Sequence, residues 1–194
     1  MNIQDWNGNP DYVDPHSTFF KDWCAYLART ISFAIKDVDP NHLILGDRIN
    51  GNRGHPDGVV QAAAEFIEIL FVQYFHAGYE QEDYQRMVTD LQGWSNEAGG
   101  KPVLVADIAN WCSTNHNPNR ASALGDQRAR GSDYAQVAEK LMAQGWCLGW
   151  HWCGYIENIG ARGWGIISPL DEEYTDMIAE MRRANVAAQQ SLLL

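Results

Sequence analysis

Asp107 closes the run Val103-Leu104-Val105-Ala106-Asp107, a carboxylate at the lip of an otherwise apolar segment. Burying such a group without a partner is costly, so it either meets a ligand or caps the loop that follows. A nucleophile or base fits the first role and a structural aspartate the second. Asp47 and Arg48 follow Leu43-Ile44-Leu45-Gly46 in the same manner. They read as a site acid with its partner, or as a solvated ion pair contributing little. Tyr74 and His76 end a third apolar run, where the phenol can orient a carboxylate or simply plug a core. His151 and Trp152 stand near the end of a fourth.

These residues need elements to hold them, and the periodicity supplies a simple plan. Phe20, Trp23, Leu27, Ile31 and Ile35 recur at helical spacing over about 17–37, and Asp39-Pro40 stops that helix. A short strand follows over 42–46. Helix 57–68, strand 69–75, helix 80–97 and strand 102–108 come next, with Gly99-Gly100 ending the second of these helices. After a long polar loop from 110 to about 131, a helix spans 133–144 and a strand 146–155. A last amphipathic helix carries Tyr174, Met177, Ile178 and Met181. Residues 1–16, rich in Asn, Asp, Gly and Pro, read as loop.

Strands alternating with helices at this pace are parallel β-α-β units, so the fold class is α/β, four parallel strands in a single unit over 1–194. Alternation along each strand puts Leu43, Leu45 and Asp47 on one face. The same rule groups Leu70, Val72, Tyr74 and His76, then Val103, Val105 and Asp107, then Leu148, Trp150 and Trp152. Three strands therefore place a polar group beyond two apolar ones at the C-terminal end, where parallel α/β proteins bind ligands.

Composition removes several alternatives. A formal net charge of -11 argues against nucleic acid and anionic membrane, because phosphate binding needs Lys and Arg to release counterions. No apolar run approaches the roughly 18 residues that span a bilayer, and no signal peptide opens the chain, so a cytoplasmic location is the default expectation. His55, His76, His116 and His151 show no metal spacing, and the four cysteines form no CxxC pair. Gly160-Ala161-Arg162-Gly163-Trp164-Gly165 lacks the spacing of a phosphate loop. Ser113 and Ser132 stand outside any nucleophile elbow. Neither a metal nor a cofactor is implied. Eight tryptophans suit stacking on sugar C–H faces, though they also fill cores.

Longer stretches resemble a known family. The segment Asp39-Pro40-Asn41-His42-Leu43-Ile44-Leu45-Gly46-Asp47-Arg48 looks like the helix 4 to strand 5 region of agarase- and β-galactosidase-like glycoside hydrolases. Lys101-Pro102-Val103-Leu104-Val105-Ala106-Asp107 is similar to their strand 7, and Gly149-Trp150-His151-Trp152-Cys153-Gly154-Tyr155 to their strand 8. The resemblance runs from about Phe19 onward. It implies the C-terminal half of a (β/α)8 barrel and a retaining hydrolase with two catalytic carboxylates. On that reading Asp107 takes the nucleophile position, where the family carries Glu. Tyr74 matches an aromatic beside the nucleophile, and Trp152 the tryptophan flooring the sugar site. The family's Asn-Glu acid/base pair has no counterpart here.

The resemblance also implies a carbohydrate ligand of galactan or β-galactoside type, met by Asp47, Arg48, Tyr74, His76, Trp111, His151 and Trp152. A non-catalytic carbohydrate-binding half-barrel is the alternative. Four strands leave two unpaired edges and a bare inward face of Leu43, Leu45, Leu70, Val72, Val103, Val105 and Leu148, so a homodimer closing eight strands is expected. In that ring a partner's Glu157 would stand nearest the missing acid/base.

Overall fold

The computed structural model describes residues 18–52, 58–76, 78–160 and 162–191. In chain order they form α1 (Thr18–Val38), β1 (Ile49–Asn50), α2 (Val59–Ala64), β2 (Leu70–Gln73), α3 (Gln81–Glu97), β3 (Val103–Ile108), α4 (Gln127–Met142), β4 (Cys147–Trp152) and α5 (Thr175–Ser191). The four strands lie in the order β1-β2-β3-β4, each parallel to the next. The loop expected over 1–16 and His55 lie outside the described residues.

The first strand and the start of the fourth helix moved furthest, for local reasons. Residues 42–46 are not the first strand. Ile44 accepts backbone N–H groups from Glu68 and Ile69, but Gly46 then turns into left-handed backbone at φ 69. A Cβ there would meet Ile67 at 2.8 Å, so the chain kinks and pairs with β2 only at Ile49–Asn50. Helix α4 starts six residues before the expected 133. Asp126 caps it by accepting the Ala129 N–H at 2.7 Å, and Gly131 lets α5 approach closely. A polar run containing glycine had concealed both.

One face of the sheet is covered by helices. Leu70, Val72, Tyr74, Val103 and Val105 are buried there with Val60 of α2, Met87 and Leu91 of α3, and Val137 and Leu141 of α4. In a β/α barrel this is the outer face. The expectation that these strand residues line the interior is therefore corrected.

The other face is open, and two irregularities decide what reaches it. Val103 pairs with Cys147 but Leu104 with Gly149, so Leu148 is an extra residue, 56% exposed. Val105 pairs with Trp150 but Ile108 with Trp152, so Ala106 and Asp107 stand opposite His151 alone. Each bulge shifts strand parity by one residue.

Candidate functional site

Asp107 lies in the second bulge with a left-handed backbone, φ 55. Strict alternation would send its side chain to the helix-covered face with Val103 and Val105. The bulge turns it onto the open face instead. Aspartate is among the few non-glycine residues that tolerate this conformation. Arg48, just before β1, donates an Nη1 hydrogen bond to Asp107 Oδ2. His151 of β4 brings Nδ1 to 3.9 Å from Oδ1, and its ring packs on Phe71 of β2 at 5.7 Å. The carboxylate is 13% exposed and its two partners about half exposed, so Asp107 is enclosed yet reachable. An anion held by a guanidinium beside an imidazole can attack an electrophilic carbon or stabilise a positive one.

An aromatic rim stands at the C-terminal strand ends. Trp164 packs on Phe75 at 5.3 Å and on Trp111 at 6.4 Å, joining the ends of β2 and β3 to the β4–α5 loop. Arg120 lies 4.3 Å from the Trp111 ring centroid and Arg162 4.8 Å from that of Trp164. The Trp111 indole donates to the Ala121 carbonyl at 2.8 Å, which fixes its ring. Trp152 supports this rim from behind. Its indole donates to the Trp164 carbonyl at 2.8 Å, and its ring packs on Tyr134 of α4. Trp152 is therefore not the exposed floor expected of it, because its parity points it at α4.

Tyr74 and His76 also follow that parity, away from the open face. The Tyr74 hydroxyl donates to Asp90 of α3 at 2.5 Å; burial, and then this carboxylate, push its pKa up. His76, with its side chain 2% exposed, meets Asp133 of α4 at 2.8 Å. Tyr84 and Asn110 donate to the same Asp133, and Arg130 binds Asn110 in turn. Such a fully engaged buried set ties strands to helices rather than meeting a ligand. Asp47 is exposed and borders the groove between α1 and β1.

Glu157 is 2% exposed and receives Thr114, Asn117 and Tyr174. Burial raises its pKa, but those three hydrogen bonds outweigh it and hold the carboxyl below its ordinary value. A general acid needs the opposite shift, and a shared site needs free oxygens. The geometry of Glu157 is that of a brace between the β3–α4 and β4–α5 loops.

No family model matches the chain. Beta-agarase A of Vibrio sp. (strain JT0107) is 26% identical over 167 residues, spanning 80% of this chain and 16% of that protein. The chain resembles the agarases in sequence and in fold. The crystal structure of BpGH50 superimposes with a TM-score of 0.71 at 22% identity, over 89% of this chain and 37% of that one. The agarase AgWH50C gives 0.70 at 20% identity, over 87% and 26%. A Bifidobacterium dentium beta-glucuronidase gives 0.60 at 11%, over 81% and 26%. The fold is thus part of a glycoside hydrolase barrel, and the chain spans about a sixth of its curated relative and between 26% and 37% of these structures.

Of the residues singled out in the sequence, Asp107, Arg48 and His151 come together on the open face, with Trp111 on the rim. Phe71, Phe75, Trp164, Arg120 and Arg162 had not been singled out. Their only signal was Trp164 between two glycines beside Arg162, a stretch that had been weighed solely as a phosphate loop.

Proposed function

We propose that this chain forms the nucleophile side of a glycoside-hydrolase-like site acting on galactan or β-galactoside carbohydrate. One observation carries the reading: the β3 bulge turns Asp107 onto the open face, between Arg48 and His151. The agarase likeness supports the substrate class. Asp107 would attack the anomeric carbon, with the Arg48 guanidinium orienting the attacking carboxylate. A retaining mechanism needs a second carboxyl about 5–5.5 Å away to protonate the leaving oxygen. Glu157 is bound elsewhere, so that group has to come from whatever closes the barrel.

A second copy of the chain is the closure we propose. Both outer strands have an unpaired edge, and a two-fold axis along the barrel keeps all eight strands parallel while pairing each edge. Helix α1 carries an exposed apolar stripe beside the β1 edge, Leu27 at 38%, Ile31 at 51% and Ile35 at 41%. In a parallel barrel the helix before a strand covers that strand and its neighbour. The partner's β4 would take that neighbouring place. Light scattering tests this: twice 21.9 kDa is expected, and a monomer with cooperative unfolding refutes the closure.

Asp107→Asn tests the catalytic reading, because asparagine is isosteric and tolerates left-handed backbone. Turnover of aryl β-galactosides or agaro-oligosaccharides should fall by about a thousandfold or more, near 4 kcal/mol of transition-state stabilisation. A folded Asn variant with unchanged turnover sinks the assignment. Binding without turnover in the wild type would favour a carbohydrate-binding role.

A further inference from the structure

The aromatic rim carries two cations that the proposed hydrolysis of a neutral sugar does not use. Arg120 stacks on Trp111 and Arg162 on Trp164, at centroid distances inside the roughly 6 Å range of cation–π attraction. The chain holds 25 acidic and 14 basic residues, so carboxylate partners are plentiful. Among the described residues, neither guanidinium enters an ion pair. Arg120 Nε and the Trp164 indole N–H are also buried donors with no acceptor in the protein. Unmet donors of this kind are rare in folded proteins and call for an explanation.

The rim is also tied to the carboxylate site: the Phe75 backbone bonds the side chain of Asn52, four residues beyond Arg48, and Trp111 lies four residues beyond Asp107. The Cys153 thiol, raised first by burial, responds next to the charges of Asp107, Arg162 and Arg48 together. Arg162 is thus within electrostatic range of the same group as the candidate nucleophile and its clamp. Flat indole faces accept the apolar face of a pyranose, while guanidinium edges offer paired N–H donors to an oxyanion.

We infer that Trp111, Trp164, Arg120 and Arg162 form a subsite for an anionic sugar residue, one bearing a sulfate ester or a carboxylate. The inference rests on the carbohydrate reading above and names the charge of the residue bound next to the Asp107 site. A protein of net charge -11 repels anions at long range, so only a local pair of cations makes such recognition favourable.

The test titrates the whole chain, followed by tryptophan fluorescence and calorimetry, with four probes. These are a neutral galacto-oligosaccharide, the same oligosaccharide carrying sulfate esters, a galacturonate oligosaccharide of equal length, and inorganic sulfate. At least one anionic oligosaccharide should bind tenfold or more tightly than the neutral one, and which of them does so distinguishes ester from carboxylate. Arg162→Ala and Arg120→Ala should each erase that advantage, Arg162→Lys should keep part of it, and Arg182→Ala on α5 should keep all of it. Equal affinity for neutral and anionic sugars overturns the subsite while leaving the carbohydrate reading intact. Inorganic sulfate binding as tightly as the sugars overturns it as well, since the cations then trap charge alone. Absence of binding by every oligosaccharide overturns both readings together. Should an alanine variant fail to fold, Arg162→Lys against wild type still decides.

Discussion

On the helix-covered face of the sheet, Leu70, Val72, Val103 and Val105 are at most 1% exposed and pack within one cluster of buried apolar side chains. On the open face Leu148 is 56% exposed, and further along the same face, toward the C-terminal strand ends, stand a carboxylate, a guanidinium and an imidazole. The two faces alternate along the same strands, yet they obey different energetics. Charge is affordable on the open face because water and close counter-charges solvate it. On the covered face the same carboxylate would need a network such as the one around Asp133.

Truncation should separate the faces most strongly. Leu70→Ala removes a side chain enclosed between sheet and helices and should cost about 2–5 kcal/mol, read as a lower urea midpoint. Unchanged stability would mean that the covered face is not the core. Glu157→Gln probes a region belonging to neither face, the loops above the strand ends. Losing charge-assisted hydrogen bonds at a buried carboxylate should cost about 1–3 kcal/mol.

That variant also carries a pH signature. Because the folded Glu157 pKa lies below its ordinary 4.5, its contribution is complete above that value. It is lost as pH falls through the lower folded value. Glu157→Gln should therefore flatten acid unfolding below about pH 4.5 and leave the wild-type difference constant near pH 7. A difference that instead grows as pH falls below about 4.5 would contradict the brace. Leu148→Asp should have the smallest effect on the fold of one chain, within about 0.5 kcal/mol. If a second copy closes the sheet, it should still weaken association by tenfold or more in light scattering. A loss matching Leu70→Ala within a single chain would erase the contrast between the faces.

Much of the architecture was legible in the sequence because it depends on local periodicity. The helix at 80–97 and the strand at 102–108 each fall within a residue of those observed, since apolar spacing and glycine stops act over short range. The C-terminal position of Asp107 on its strand and the agarase likeness were legible for the same reason. The side of the sheet on which each residue lies was not. Alternation alone assigned Asp107, Tyr74, His76 and Trp152 to one face. Two bulges and one left-handed residue moved only Asp107 to the other.

Bulges arise from pairing between strands distant in sequence, so no single strand encodes them in its own pattern. The rim was hidden in a similar way. Phe75, Trp111 and Trp164 lie on three separate segments, and only the packing of loops above the sheet brings their rings together. The sequence by itself determined which elements form and which residues end them. Tertiary structure decided which of those residues stand on the open face, because strand register and loop packing are properties of contacts between segments.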